Sequence, residues 1–390
     1  MKFIAKLFTP TTQVRGAAIA AFLFLLVPRA RAEDGISYKY QDYQESGGRV
    51  GVQVHSALIE QGIGTAMRVK LTGVIDAISG ATPNGQPAPA GSDQVPYTKL
   101  DEERKAWNAE FSRQFPRINV ALGAANSRES DYVSTAFSVN TLTDFNQKNT
   151  TLLAGIAFAN DDVRVFFQPD YAEKRTHDVI VGITQLLDPR TTVTVNFSYG
   201  RSVGYLSDPY KAVEKRAEVI PGVFLQRTFP ENRPAERSKW LLLASLNRAF
   251  PEQKGALEGS YRFYHDTFGT DAHTLDLAWF QRLGAKLILR PSFRFYQQSA
   301  ADFFHYRLDA TNIVPTFGGP RPQGPFYSSD YRLSAMRTTT AGLKAIWQVT
   351  ARLELDAAFE RYEMRGRDGV VPESAYARAN IVTLGAKFTW

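Results

Sequence analysis

Histidines and carboxylates occur close together in two neighbouring stretches of the second half of the chain, and they are the side chains best suited to chemistry. Imidazole and carboxylate groups together can bind a divalent metal ion or a polar substrate. Their spacing matches neither HExxH nor an EF-hand loop. Two interpretations therefore remain open: a metal or ligand site, and a hydrogen-bonded rim that orders the surrounding loops. The rim candidates are His265, Asp266, Asp271, His273, Asp302 and His305.

A second motif with catalytic spacing is GRSVG at 200–204, which fits G-x-S-x-G. A nucleophile elbow requires a strand, a sharp turn and a helix, whereas Ser202 ends an alternating segment that no helical pattern follows. The chain has no cysteine, which excludes thiol nucleophiles, thiolate zinc sites and disulfides. It also lacks a P-loop and a dinucleotide fingerprint. The sequence therefore predicts no catalytic residue and no cofactor, and it favours a protein that is not an enzyme.

The first 32 residues have the pattern of a cleaved secretory signal peptide. A basic start is followed by the apolar run GAAIAAFLFLLV at 16–27 and by the small-x-small sequence ARA at 30–32. This segment contains five basic residues and no acidic one, so the net charge of +7 falls to +2 for the mature chain. The mature domain, 33–390, therefore has no basic footprint for nucleic acid.

The mature chain alternates apolar and polar residues in about sixteen segments. In TTVTVNFSYG (191–200) and KLILRPSFRFY (286–296) every second residue is apolar and the residues between are polar or charged. This period of two predicts strands with one lipid face and one wet face. No apolar run approaches 18 residues, which excludes a transmembrane helix. The predicted fold is all-β: a transmembrane antiparallel up-and-down barrel of about sixteen strands, within a range of 14–18.

The links between the segments support this topology because short and long links largely alternate along the chain. Short links such as 188–190 and 250–253 predict periplasmic turns. Longer links, rich in glycine, proline and charge, predict outer loops at 77–105, 205–236, 300–328 and 365–375. The links at 45–49 and 141–149 fit this rule less well. The last three predicted strands are 329–347, 351–364 and 377–390.

The final octet, TLGAKFTW at 383–390, has one apolar face that ends in two aromatic residues, as expected of a strand that closes a barrel. It resembles the C-terminal β-signal of outer-membrane proteins. The matching positions are Thr383, Gly385, Phe388 and Trp390. This resemblance implies recognition by the barrel-assembly machinery.

Several longer stretches resemble one bacterial family that is catalogued as a domain of unknown function and predicted to form outer-membrane β-barrels. The resemblance implies a location in the outer membrane of a Gram-negative bacterium, in contact with outer-membrane lipid. Members look like barrels encoded near periplasmic thioredoxin-like and flavin-transfer proteins, which implies a periplasmic redox protein or lipoprotein as a partner. The stretches are IDAISGATP (75–83), GYLSDPYK (204–211), GSYRFYHDTFGTDAHTLDL (259–277), LRPSFRFYQQSAADFF (289–304) and YSSDYRLS (327–334).

The predicted inward positions carry nine basic and five acidic residues. Basic rings in a pore favour anions, whereas a salt-bridged interior would only brace the barrel. The favoured function is a porin-like channel for small hydrophilic, and in particular anionic, solutes, which the long loops could constrict by folding inward. The alternatives are an enzyme or metal site at the outer rim and a structural partner of a periplasmic protein. The predicted selectivity residues are Arg68, Lys70, Arg262, Arg290, Arg294 and Arg352.

Overall fold

Sixteen strands form one closed antiparallel barrel in the computed structural model, which describes residues 34–165, 170–317 and 320–390. The predicted signal peptide, 1–32, lies outside the described residues. The barrel strands are β1 (Gly35–Glu45), β2 (Gly51–Ile63), β3 (Met67–Pro83), β4 (Tyr97–Gln114), β5 (Ile118–Arg128), β6 (Tyr132–Phe145), β7 (Thr150–Val163), β8 (Ala172–Asp188), β9 (Thr191–Gly204), β12 (Glu236–Phe250), β13 (Gly255–Asp266), β14 (Asp271–Leu283), β15 (Leu287–Gln298), β16 (Met336–Gln348), β17 (Leu353–Gly366) and β18 (Arg378–Thr389). A separate hairpin contains β10 (Ala212–Ile220) and β11 (Val223–Pro230), and short 3₁₀ helices occupy Asn146–Lys148, Tyr331–Leu333 and Glu373–Ala375.

The alternation in the sequence becomes two different faces of the barrel wall. On β15, Phe293 points outward and is 43% exposed, whereas Arg290 and Arg294 line a cavity inside the barrel. On β9, Val195 and Phe197 are likewise exposed on the outer face. Because apolar side chains cover the outside and polar ones the inside, the wall has the polarity of a transmembrane barrel. The predicted fold class is confirmed.

Aromatic side chains border the apolar outer face at both ends. At one end Phe388 lies near Trp390, and Phe250 packs against Trp279 with ring centroids 5.5 Å apart. At the other end Trp240 packs between Tyr199 and His265. Such rings of aromatic residues mark the two membrane–water interfaces of transmembrane barrels.

The barrel closes where β18 pairs with β1, from Gly35 opposite Thr389 to Glu45 opposite Ala379. Leu384 points outward and is 50% exposed, whereas Gly385 faces the lumen. A Cβ atom at Gly385 would lie 2.1 Å from a carboxylate oxygen of Asp356. Glycine at this position therefore leaves room for Asp356 on the neighbouring strand.

The two ends of the barrel differ in their connections. At the short-turn end the links are 64–66, 115–117, 146–149, 189–190, 251–254, 284–286 and 349–352. The opposite, long-loop end carries 84–96, 205–235, 299–335 and 367–377, together with the shorter links 46–50, 129–131, 164–171 and 267–270. Both Gly35 and Thr389 lie at the short-turn end. The predicted alternation of short and long links is therefore present, and 46–50 is one of its exceptions.

Three predicted boundaries were wrong. The predicted loop 77–105 is mostly strand, because β3 continues to Pro83 and β4 begins at Tyr97. The predicted strand 329–347 begins only at Met336, since 329–335 form a largely buried loop with the 3₁₀ helix Tyr331–Leu333. The predicted loop 205–236 contains the hairpin β10–β11, whose strands turn at Pro221–Gly222.

Within the described residues, no helix is both long and apolar enough to cross a lipid bilayer.

Candidate functional site in the capped lumen

Polar cavities lie against the inner wall of the barrel. The β13–β18 cavity, of about 740 Å³, is lined by Arg262, Arg290, Arg294 and Glu360. The β2–β7 cavity, of about 720 Å³, lies towards the short-turn end. The cap-side cavity, of about 750 Å³, adjoins the loop that follows β9. The interior therefore contains wet, charged space rather than an apolar core.

Most of the predicted selectivity residues face these cavities. Arg68 and Lys70 line the β2–β7 cavity, and Arg262, Arg290 and Arg294 line the β13–β18 cavity. Arg352 instead lies in the 349–352 turn, where it is exposed and its carbonyl oxygen accepts a hydrogen bond from the Thr389 N–H at 2.9 Å.

Ion pairs neutralise much of the charge on the inner wall. Arg290 lies 3.3 Å from Glu258, and Arg294 lies 2.5 Å from Asp276. Lys70 and Lys344 pair with carboxylates of adjacent strands at 3.4 Å and 2.8 Å. Arg262 differs because it has no ion pair among the described residues. Its Nη2 donates a hydrogen bond to Thr274 Oγ1 at 3.2 Å.

A packed cap occupies the long-loop end. We define the cap as the loops 84–96, 205–235, 299–335 and 367–377. Its first apolar cluster joins Val95, Val371 and Tyr376 of two loops to Met336 and Met364 of β16 and β17. Both methionines face inward and are less than 9% exposed. The cap therefore packs inside the barrel mouth rather than above it.

Two further apolar clusters extend the cap across the mouth. Phe268, from the turn between β13 and β14, packs edge-to-face on Phe303 with centroids 4.9 Å apart. Val213 of the hairpin packs with the fully buried Leu308 and with Tyr327. Since these contacts join distant loops, they fix the loops relative to one another.

Charged residues are buried at the centre of the cap. The carboxylate of Asp330 is 1% exposed and accepts hydrogen bonds from Arg233 Nη2 at 2.9 Å and from Arg332 Nη2 at 2.6 Å. Glu231 lies 2.6 Å from Arg233 and accepts a hydrogen bond from Ser328 Oγ at 2.5 Å. Arg332 also pairs with Asp208. We call Asp208, Glu231, Arg233, Asp330 and Arg332 the cap network.

Burial and pairing shift the pKa values within the network. Burial alone would raise the pKa of Asp330, but Arg332 and then Arg233 outweigh it and hold this pKa well below its usual range. Burial raises the pKa of Glu231 despite the nearby Arg233. Burial also lowers the pKa of Lys211, whose ammonium group donates to the Pro83 carbonyl at 2.5 Å. The cap therefore holds Asp330, Glu231 and Lys211 in an environment poor in water.

Hydrogen bonds to the backbone complete the cap. Ser329 Oγ lies 2.7 Å from the carbonyl oxygens of both Gly85 and Ala212 and shares its single proton between them. Asn232 and Tyr327 exchange two backbone hydrogen bonds, at 2.9 Å and 2.8 Å. A single seryl hydroxyl thus joins three loops that are far apart in the sequence.

The six rim candidates lie on different surfaces. His265 contacts Asp271 at 2.8 Å on the outward face, and His273 on the same face bonds the hydroxyl of Tyr261 at 2.7 Å. Asp266 points inward and is fully buried. The described residues contain no group of three or more histidine and carboxylate side chains that could hold a metal ion.

The remaining rim candidates have structural contacts. Asp266 accepts hydrogen bonds from the N–H groups of Phe268 and Thr270 and from Arg237 Nε, which orders the turn after β13. Asp302 and His305 lie in the cap. Their N–H groups donate to Phe268 and Ser328 carbonyls respectively, both at 2.8 Å, and burial lowers the pKa of His305.

The cap network is not evident from the sequence. Its residues are distributed over two long loops, with Arg233 and Asp330 separated by 97 positions. The available signal was the density of small and charged residues in LSDPYK and SSDYRLS, two stretches already singled out by resemblance. In the structure these stretches meet at Asp208 and Arg332.

The closed sixteen-stranded wall, its apolar outside and its polar inside define a transmembrane β-barrel whose lumen is capped at one end. The chain belongs to the protein family of unknown function DUF3570, whose model matches residues 16–374. A comparison with curated proteins found no match.

Solved structures of outer-membrane proteins are similar to the chain at low sequence identity. A mutant of the ferric enterobactin receptor PfeA from Pseudomonas aeruginosa has 14% identity and a TM-score of 0.45, covering 92% of this chain and 60% of the receptor. The siderophore receptor PirA from the same organism has 10% identity and a TM-score of 0.43, covering 92% and 62%. A bacterial polysaccharide outer membrane secretin has 7% identity and a TM-score of 0.49, covering 91% and 98%. The chain thus spans less than two thirds of the receptors' length.

Proposed function

We propose that the protein is an outer-membrane channel for small hydrophilic solutes, closed at its long-loop end by the cap. The observation that carries this proposal is the charged, cavity-containing lumen of a barrel with sixteen strands. Barrels of this strand number are wide enough for an aqueous passage unless loops fill it.

The cap makes the proposed channel a restricted one. Its clusters cover inward residues of β16 and β17, so a solute that enters on that side meets packed protein. The cap-side cavity lies on the opposite wall, between β6–β9 and the loop after β9. We infer that solutes pass through this gap or that the cap moves to admit them.

The charge of the inner wall supports a moderate preference for anions. Arg290 and Arg294 are each held by a carboxylate, which reduces the field that they project into the lumen. Arg262 has no recorded carboxylate partner among the described residues, and it borders the same cavity. Focused positive potential in a narrow passage attracts anions.

Planar-bilayer recording with the purified protein tests this function. We expect discrete conductance steps and, in a salt gradient, a reversal potential that favours anions. Arg262→Glu should shift that potential towards cations, and added salt should weaken the shift. The matched control is Arg352→Glu, in the exposed turn, which should have a smaller effect. If bilayers containing folded protein show no steps, including after removal of cap contacts, the channel proposal is wrong.

A further inference from the structure

Four arginines cluster on the outer surface of the barrel, outside the lumen. The cross-strand register places Arg337 of β16 directly opposite Arg365 of β17. Arg361 lies on the same face of β17, and Arg378 begins β18. Met336, Met364 and Ala379, which follow or precede Arg337, Arg365 and Arg378 in the sequence, face inward and are buried, so the four arginine side chains point outward. We call Arg337, Arg361, Arg365 and Arg378 the arginine patch.

Carboxylates on the wall balance the arginine patch incompletely. Glu363 is shared between Arg361 at 3.6 Å and Arg365 at 3.2 Å. Arg337 is exposed and has no recorded ion pair or side-chain hydrogen bond within the described residues. Like charges directly opposite each other in a sheet destabilise the pairing. The geometry of Arg337 and Arg365 therefore favours an anion from outside the chain.

Some other arginines at the same end of the barrel have individual partners. Arg378 has Glu373 at 3.8 Å, at the edge of the patch. Away from the patch, Arg175 pairs with Glu173 at 2.9 Å and Arg201 with Glu236 at 2.8 Å. These pairs contain one cation for each carboxylate, whereas the patch contains four cations beside Glu363 and Glu373. The surface of β16–β18 at this end therefore carries an excess of positive charge.

The patch borders the apolar face of the same three strands. Two residues beyond Arg361 on β17 lies Phe359, which is 52% exposed; Leu343 and Val382, on the adjacent strands, are 52% and 39% exposed. Two residues of a strand span roughly 7 Å. An anion at the patch therefore lies within one lipid headgroup of the hydrocarbon region, and its apolar part could cover Leu343, Phe359 and Val382.

We propose that the arginine patch binds the phosphate groups of a lipid in the membrane leaflet at the long-loop end. Guanidinium groups bind phosphate through two parallel hydrogen bonds. The patch extends over three strands, roughly 10 Å across, so it suits a headgroup that carries more than one phosphate. This site is independent of the proposed channel, because none of its residues faces the lumen.

Lipid titration in detergent micelles tests the site. The purified barrel in dodecyl maltoside is titrated with a bisphosphorylated glucosamine-disaccharide lipid, and bound lipid is counted by native mass spectrometry. Arg337→Gln together with Arg365→Gln should weaken binding about thirtyfold, equivalent to about 2 kcal/mol for two arginines at an anionic lipid surface. Glu363→Gln should tighten binding, because it removes the carboxylate that competes with phosphate.

The control is Arg175→Gln together with Arg201→Gln, which removes two paired arginines from another part of the same rim. This control should leave binding unchanged within about threefold. Far-UV circular dichroism and gel mobility before and after heating verify that each variant is folded, and Glu363→Gln tests the site if the double variant is not. Equal binding by the patch variant and the control, or weaker binding by Glu363→Gln, would overturn the proposal. Displacement of the lipid by an equal concentration of inorganic phosphate would overturn the lipid as its source.

Discussion

The ion pairs inside the two ends of the barrel differ in their burial. At the long-loop end Asp330 and Glu231 are almost completely buried, and each contacts arginine within a packed cap. Towards the short-turn end Lys70 pairs with Glu60 across a wet wall, with its side chain 40% exposed. Buried ion pairs are costly to break from one side, whereas exposed ones contribute little. The comparison indicates that the cap depends on particular buried ion pairs, whereas the inner wall near the short-turn end carries solvated pairs that contribute little to stability.

The largest effect is expected from shortening the final strand, which should prevent assembly of the barrel. Deleting Phe388–Trp390 removes the end of β18 and its pairing with β1 at Ile36, so we expect loss of the folded barrel from the outer membrane. Deleting 220–223, the tip of the hairpin at the other end, should leave barrel levels normal. Membrane fractionation followed by a urea wash measures both. Normal, urea-resistant levels of the first deletion would contradict an assembly role for the final strand.

Breaking the cap network should have the next largest effect. Asp330→Ala leaves Arg233 and Arg332 without their shared carboxylate, and one-sided loss of a buried pair costs about 3–5 kcal/mol. We expect cleavage of the cap loops by added protease and higher conductance, with the barrel still assembled. The matched change Asp276→Ala removes the partner of the half-exposed Arg294 and should cost at most about 1 kcal/mol. Equal protease sensitivity in the two variants would remove the distinction between the buried cap and the solvated wall.

Acidification should have the smallest effect on the stability of the cap and on conductance. The folded pKa of Asp330 is depressed, so its contribution to stability is complete above the unfolded pKa of about 3.9 and is lost as pH falls below it. Glu231 has a raised folded pKa, so its protonation on acidification does not destabilise the cap. Conductance should therefore stay constant between about pH 7 and about pH 5 and rise only below about pH 4. An increase near pH 6 would show that another group controls the cap.

The barrel wall could be predicted from the sequence because each strand is encoded locally. The alternation of Arg290, Ser292 and Arg294 with Leu289, Phe293 and Phe295 fixes both the strand and its facing. The hairpin β10–β11 was also within reach, since Pro221–Gly222 is a turn signal between two alternating segments. It was missed because the whole of 205–236 was interpreted as a loop.

The cap could not be predicted in the same way because its contacts are not periodic. The stretch 329–335 carries polar residues that suggest an inward strand face, yet Ser329, Asp330 and Ser334 are buried by other loops. Asp330 meets Arg233, which is 97 positions away in the sequence, only because the loops pack together in three dimensions. A single sequence contains no local pattern that predicts such a long-range contact.

The pairing of β1 with β18 also sets an order of events during folding. Gly35 meets Thr389, so the ring is complete only when the first and last strands of the barrel are both present. The cap depends on the same event, because the Val95 N–H reaches Ser374 across 279 positions and Ser329 reaches Gly85 across 244. Contacts at such separations carry a high loop-closure entropy and form late. Loops 84–96 and 367–377 lie on either side of the β1–β18 seam, so we expect their contacts in the cap to form only once β18 has reached β1.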